Sequence, residues 1–290
     1  MWKLVVLLCV GFLCVYSSPQ RGAKYETPSQ SRQLREELAQ NLYFVLSARN
    51  LESHDANNGV ADPYVRVHFG SVPPYSQKQG KDLDKVGDSE TIVNEANPQW
   101  VKVFKVQYIK GINQKIWVEV RDHDPINPDD VVGEAFIDLD EYMEHGQQLT
   151  VPLKGSKSGS IVIQNTAPFR FSLALKNIPA LDEFGGLSDP FVKCYFRYGK
   201  EGKDFKFFET PTIDNTDSAT WENPITFDNF RRGTDQIFHF VVKDADSITA
   251  DDVIGEAFME VEPFADKKQQ SVLPLSSSSN ATLYVKYILE

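Results

Sequence analysis

The chain has 290 residues, a net charge of −11 and a pI of about 5.0. This length suits one large domain or two of ordinary size. An acidic surface repels phosphate backbones, which argues against nucleic acid as a partner and favours cation binding. Hydrophobic residues make up 41% of the chain, which is enough for packed cores.

The start of the chain predicts a secretory signal peptide over residues 1–17. Lys3 supplies the positive charge, Leu4–Val15 forms an apolar run, and the small Ser17 offers a cleavage point. The run is shorter than the roughly 20 residues that span a bilayer, so an uncleaved anchor is the weaker interpretation. We therefore expect a secreted, extracellular protein in which residues 18–40 form a polar tail.

The cysteines add one further expectation. Cys9 and Cys14 lie inside the predicted signal peptide, so the mature chain keeps only Cys194 and can form no internal disulfide. A disulfide between two chains is one use for a leftover thiol. However, Cys194 alternates with Val192 and Phe196 on one face of a strand, which predicts a buried thiol without a redox role.

Short segments of alternating apolar and polar residues follow one another from residue 41, at the spacing typical of an antiparallel sandwich. About eight such strands fit between residues 41 and 165. Gly70–Ser89 is predicted to be a long polar loop. The predicted strands are Asn41–Leu51, Asp62–Phe69, Glu90–Val93, Gln99–Val106, Lys115–Arg121, Glu134–Asp138, Leu149–Leu153 and Gly159–Asn165.

The second half of the chain repeats the first half in the same order. Asp189-Pro190-Phe191-Val192 corresponds to Asp62-Pro63-Tyr64-Val65, and Trp221 corresponds to Trp100. The repeating unit is a whole domain and is too long for a solenoid repeat. The sequence therefore predicts an all-β protein of two antiparallel eight-stranded β-sandwiches in tandem, at residues 41–165 and 169–290.

An acidic loop between two strands occurs once in each half. Carboxylates this close repel one another unless a cation neutralises them, and Ca²⁺, which prefers oxygen ligands, is the first candidate. Turn chemistry alone could explain one copy, since Asp, Asn and Pro are common turn residues, but two matching copies favour binding. The acids are Asp122, Asp124 and Asp130 in the first half and Asp244, Asp246 and Asp252 in the second.

One loop cannot fill a calcium shell of 6–8 oxygens, so ligands must converge from elsewhere. A preceding loop in each half supplies two more acids, Asp55 with Asp62 and Asp182 with Asp189. Five carboxylates exceed the need of one Ca²⁺, and charge balance favours two or three ions per domain. The loops are not EF-hands, because they lack the Gly at the sixth position and the Glu at the twelfth.

These motifs closely resemble the C2 domain family, in tandem, over about residues 41–290. The resemblance implies sandwiches whose loops at one end bind Ca²⁺ and dock on anionic phospholipid. It also implies the permuted, type II strand order, in which the sheet starts with the strand before the first acidic loop. The residues that carry it are Asp55, Asp62–Val65, Asn97–Trp100, Asp122–Asp124 and Asp130–Gly133, then Asp182, Asp189–Lys193, Trp221, Asp244–Asp246 and Asp252–Gly255.

Two departures from the family pattern stand out. The acids of the first loop are seven apart where many family members have six, and in the second half Glu183 competes with Asp182 as a ligand because it restores a spacing of six. The second half also has Ala219-Thr220 before Trp221 in place of Asn-Pro, which we expect to affect fold more than chemistry.

The leading interpretation is a secreted, calcium-binding tandem C2 protein that docks on anionic phospholipid membranes through Ca²⁺-loaded loops. The alternative is a calcium-dependent extracellular protein-interaction or assembly module that does not bind lipid. An enzyme is disfavoured, since the chain shows no Gly-x-Ser-x-Gly elbow and its histidines are scattered. Apolar residues near the loop tips either insert into the membrane interface or are ordinary exposed side chains; they are Val60, Ile126, Phe184, Leu187 and Ile248.

Overall fold

The chain divides into two compact units, Met1–Asn165 and Thr166–Glu290. Two short strands near its start, β1 (Val5–Cys9) and β2 (Phe12–Tyr16), form an antiparallel hairpin within the residues predicted to be a signal peptide. In the described part of the chain, no helix is both long and apolar enough to cross a membrane. The computed structural model describes residues 5–9, 12–16, 38–52, 60–72, 80–181, 186–246, 250–276 and 280–289.

The first unit contains a sandwich of two four-stranded antiparallel sheets, with strand orders β6-β3-β10-β9 and β5-β4-β7-β8. The first strand of the sandwich, β3, precedes the loop that carries Asp62, and the last strand, β10, pairs beside β3, which confirms the permuted strand order. The strands β3 to β10 are Gln40–Arg49, Pro63–Ser71, Asp84–Asp88, Phe104–Tyr108, Gln114–Asp122, Asp130–Asp138, Gln148–Pro152 and Ser160–Asn165.

The second unit repeats this architecture with strand orders β14-β11-β18-β17 and β13-β12-β15-β16. The prediction of two eight-stranded sandwiches in tandem is therefore confirmed. The strands β11 to β18 are Phe169–Lys176, Pro190–Tyr198, Phe205–Glu209, Ser218–Phe227, Gln236–Asp244, Asp252–Glu260, Gln270–Pro274 and Thr282–Ile288.

Alternate residues of each strand turn inward and form the cores. In the first sandwich Phe44 stacks on Phe104 at 5.6 Å between ring centroids, with Trp100 fully buried nearby. In the second sandwich Phe238 packs edge-on against Phe227 at 4.8 Å. Cys194 is completely buried, as predicted, and this burial raises the pKa of its thiol.

The structure corrects one part of the strand prediction in the first sandwich. Glu90–Val93 is not a strand, and the predicted polar loop instead contains a 3₁₀ turn at Gly80–Asp82 and the strand β5. This strand lies at a sheet edge and pairs only with β4. Its residues are mostly polar and show no alternating pattern, because an edge strand can be held by backbone pairing without a hydrophobic face. The predicted strand Gln99–Val106 begins only at Phe104.

The two sandwiches differ in backbone pairing before Trp100 and Trp221, where the sequence departs from the family pattern. In the second sandwich Ala219 and Thr220 already pair with β11 as part of β14, which continues past Trp221 through one bulge. At the corresponding place in the first sandwich, Pro98 accepts a single backbone hydrogen bond from Ala48, 2.9 Å long, before the strand begins.

Two short helices at the opposite end from the acidic loops were not predicted. They are α1 (Leu139–Glu144) and α2 (Val261–Lys267). Asp138 caps α1 through hydrogen bonds from the backbone N–H groups of Asp140 and Glu141 and pairs with Lys115. Glu260 occupies the same place before α2 but makes no side-chain cap.

Candidate metal centre

Strand register brings acids from different loops to the same end of each sandwich. In the first sandwich Pro63 lies opposite Asp122, and Asp122 in turn lies opposite Asp130. Asp62, which directly precedes β4, therefore lies beside Asp122, and Asp130 flanks Asp122 on its other side. The second sandwich repeats this arrangement, with Asp244 between Pro190 and Asp252.

The carboxylate at the centre of each arrangement is buried. Asp122 and Asp244 are each only 2% exposed. Asp122 Oδ1 accepts the backbone N–H of Asp62 at 2.6 Å, and Asp244 Oδ1 accepts that of Asp189 at 2.5 Å. Because a buried carboxylate is unfavourable unless hydrogen bonds, a counter-charge or a metal stabilises it, these two positions suit a cation site.

Asp62 and Asp189 each connect their own loop to two neighbouring loops of the same sandwich. Asp62 Oδ1 accepts the backbone N–H of Asn94 at 2.7 Å, and Asp189 Oδ1 accepts that of Asn215 at 2.6 Å. Both asparagines have left-handed φ angles, of 54° and 50°, which this residue type tolerates. The carbonyl of Asp62 also accepts the N–H of His123, 3.1 Å away. These hydrogen bonds join three loops at the acidic end of each sandwich.

The acidic loop at residues 122–130 has an additional clamp, which we call the Tyr64–Asp129 clamp. The Tyr64 hydroxyl donates to Asp129 Oδ2 at 2.6 Å, while Asp129 Oδ1 accepts the N–H of Asp124 at 3.2 Å. The hydrogen bond from Tyr64 is the main reason that the pKa of Asp129 is lowered. In the second sandwich Phe191 replaces Tyr64 and has no hydroxyl to donate.

A basic side chain near the end of the preceding strand donates a hydrogen bond to each acidic loop. Arg121 Nη2 donates to the carbonyl of Asp129 at 2.7 Å, and Lys243 Nζ donates to that of Asp251 at 3.2 Å. Sequence reasoning missed Asp129 and both basic residues. The repeat contained the signal, because an Asp-Asp pair ends both loops and a basic residue precedes the first aspartate of each.

The structure describes only part of the predicted ligand set. Asp55, Asp182 and Glu183 lie outside the described residues. Asp124 and Asp246 are half-buried, whereas Asp130 and Asp252 are exposed. Across the described residues, no three His, Cys, Asp or Glu side chains form a ready-made metal cluster. The donors are nonetheless carboxylate oxygens, which fit a hard cation such as Ca²⁺, and the ligand set stays a prediction.

Apolar side chains lie exposed near the same ends. In the first sandwich Ile126, in the loop at residues 122–130, is 91% exposed, and Val60, two residues before Asp62, is 40% exposed. Leu187 is 38% exposed in the second sandwich. Phe184 and Ile248 lie outside the described residues.

Comparison with known proteins identifies the class. The C2 domain family model matches residues 43–153 and 172–275. The chain therefore belongs to the C2 domain family and carries two C2 domains in tandem.

Its relatives include mouse synaptotagmin-7, 25% identical over 238 residues, which cover 74% of this chain and 54% of the relative. Rat synaptotagmin-10 is 26% identical over 229 residues, which cover 73% of this chain and 41% of the relative. The chain thus spans about half the length of these relatives or less. A solved, calcium-bound structure of two C2 domains of extended-synaptotagmin 2 covers 86% of this chain and 97% of its own, with 18% identity and a TM-score of 0.36.

Proposed function

We propose that this protein is a secreted calcium-binding protein that docks on anionic phospholipid membranes through Ca²⁺-loaded acidic loops. The observation that carries the proposal is the buried aspartate at the same place in each domain. Asp122 and Asp244 each bind the loop of a second acid and lie beside a third. A doubled arrangement of this kind is difficult to explain by turn chemistry alone.

The proposed ligands in the first domain are Asp55, Asp62, Asp122, Asp124 and Asp130, and their counterparts serve the second domain, with two or three ions in each. Bound Ca²⁺ would supply positive charge and open coordination positions for headgroup oxygens. Without it, the acids repel an anionic surface, so docking requires calcium. Extracellular calcium fills even sites with affinities of about 10⁻⁴–10⁻³ M, and the loops of a secreted protein would then stay loaded.

Sedimentation with vesicles of phosphatidylserine and phosphatidylcholine tests the docking. We expect the protein to pellet in calcium and to stay in solution with a chelator. Asp124→Asn combined with Asp246→Asn should abolish pelleting. A matched control is Glu144→Gln combined with Asp228→Asn, which removes the same charge from exposed positions at the other end of the sandwiches. Equal pelleting with and without calcium would refute the proposal.

Two further measurements separate the remaining parts of the proposal. N-terminal sequencing of protein recovered from the medium of animal cells should show a chain that starts after residue 17. Calorimetry should detect calcium binding in the absence of vesicles. Calcium binding without vesicle binding, together with calcium-dependent capture of an extracellular protein, would favour a protein-interaction module.

A further inference from the structure

Asn280-Ala281-Thr282 is the only Asn-x-Ser/Thr acceptor sequence in the chain. Asn280 is exposed, whereas Ala281 is 1% exposed and Thr282 begins β18. The buried neighbour and the strand fix Asn280 on the surface. We propose that Asn280 carries an N-linked glycan and that this glycan shields the acidic-loop end of the second C2 domain from membranes. The inference rests on the proposed function, since it requires secretion and docking.

Strand pairing places Asn280 at that end. Thr282 pairs with Lys176, the last residue of β11, after which the chain enters the loop that carries Asp189. The side chain of Asn177 donates to the carbonyl of Asn280 at 3.5 Å. Asn280 therefore lies beside the start of this loop.

Ser276, four residues before Asn280, approaches β16, the strand that begins at Asp252. The N–H of Ser276 donates to the carbonyl of Glu256 at 2.8 Å. Asp252 lies four residues earlier in the same strand, which is about 13 Å away at the rise of a β-strand. A branched oligosaccharide on Asn280 is large enough to cover that distance.

The modification uses a donor of the secretory pathway, an oligosaccharide linked to a polyprenyl diphosphate. A C–N bond forms between the anomeric carbon of the sugar and Asn280 Nδ2, while the C–O bond to the diphosphate breaks. The amide loses one proton, and the polyprenyl diphosphate leaves. The product is a bulky, hydrated group that keeps bilayer headgroups away from the loop. Ca²⁺ is small enough to reach Asp189 and Asp244 beside it, so calcium binding continues.

The first domain has no acceptor at the matching position and offers an internal control. Ser160 pairs with Pro152 and Arg49, just as Thr282 pairs with Pro274 and Lys176. Ser158 therefore stands where Asn280 stands, and it is exposed as well. Ser158→Asn creates the sequence Asn-Gly-Ser and moves the acceptor to the first domain.

The modification is tested on the full chain secreted by animal cells. Peptide N-glycosidase should lower the mass of the wild type and leave that of Asn280→Gln unchanged. An unchanged wild-type mass would overturn the proposal.

The shielding is tested with phosphatidylserine vesicles in calcium. Two docking domains bind together far more tightly than one, so Asn280→Gln should bind at least about ten-fold more tightly than the wild type. In an Asp124→Asn background, where docking depends on the second domain, only the glycan-free protein should pellet. Ser158→Asn should lower the binding of Asn280→Gln, and calcium titrations without vesicles should agree for glycosylated and glycan-free protein.

The outcomes separate the two proposals. Glycan-free protein that pellets in calcium no better than glycosylated protein overturns the shielding and leaves docking in place. Failure of both forms to pellet counts against docking and therefore against shielding, while the mass measurement still decides whether Asn280 is modified.

Discussion

The Tyr64–Asp129 clamp predicts that the first C2 domain binds calcium with a loop that is already ordered. Tyr64→Phe removes the hydroxyl and keeps the ring, which is 7% exposed. The second domain has phenylalanine at this position and buries it equally well, so packing should survive the change.

The geometry of the hydrogen bond from Tyr64 to Asp129 sets the expected loss of stability. The bond is 2.6 Å long and its acceptor is charged, a type that contributes about 1.5–3 kcal/mol when buried. The Asp129 side chain is 25% exposed, so water replaces part of the bond when it is lost. We therefore expect the first domain to lose about 1 kcal/mol of stability. If the same ordering must then occur on binding, its calcium affinity falls about five-fold.

Calorimetry in an Asp246→Asn background measures this affinity, because the background weakens binding in the second domain. Tyr142→Phe is the matched control. The Tyr142 hydroxyl is fully buried without a hydrogen-bond partner in the described structure, so its removal should not lower stability or calcium affinity. A Tyr64→Phe variant with unchanged affinity would refute the role of the clamp in binding, even if its stability fell.

Further predictions concern stability. Asp138→Ala should destabilise the first domain by about 1 kcal/mol in urea unfolding, while Asp138→Asn keeps the cap and loses only the charge pairing with Lys115. Burial raises the pKa of Asp138, but the bonds from Lys115 and the helix N–H groups outweigh it and the pKa is lowered. Its stabilisation is therefore complete above pH ~4, the unfolded pKa, and is lost as the pH falls through the folded pKa, so Asp138→Asn should flatten the acid side of the stability curve. Glu260→Asp should give α2 the cap that it lacks and raise the thermal midpoint of the second domain, with a gain of about 0.5–1 kcal/mol; no gain would mean that the shorter side chain does not reach the helix. Arg231 is 5% exposed, its Nε and Nη2 have no hydrogen-bond partner among the described residues, and burial lowers its pKa to about 10. Arg231→Met should leave the second domain equally or more stable, and a loss above about 1 kcal/mol would show that the contact of the guanidinium with the Tyr198 ring, 4.6 Å away, outweighs the cost of its burial.

The sequence was sufficient to predict which loops meet. In an antiparallel sandwich the connection after the first strand and the connection after the fifth strand fall at the same end, so the acids before Pro63 and after Arg121 were predicted to meet there, and Asp62 and Asp122 do. The sequence did not show β5, because a polar strand at a sheet edge is held by backbone pairing with β4 and has no hydrophobic face of its own.

The clamp was beyond sequence reasoning for a different reason. A bulge between Val120 and Arg121 shifts the register, so that Arg121 lies opposite Val131. A shift of one residue exchanges the two faces of a strand, and it therefore decides which aspartate of the pair at 129–130 turns toward Tyr64. The second domain has the same bulge between Val242 and Lys243. No residue type in these strands marks the bulge, so the sequence does not predict this register.

The two C2 domains share a fold and an acid pattern but differ around their loops. The first domain has the Tyr64–Asp129 clamp and the exposed Ile126, while the second has Phe191 in place of the tyrosine and the acceptor at Asn280. An ordered loop with an apolar tip favours contact with a bilayer, whereas a glycan beside a loop hinders it. Together with the two proposals, these differences predict a division of labour in which the first domain makes the membrane contact and the second binds calcium without docking. Asp124→Asn in the glycosylated protein should therefore abolish vesicle binding, and Asp246→Asn should leave most of it intact; the opposite order would refute this division.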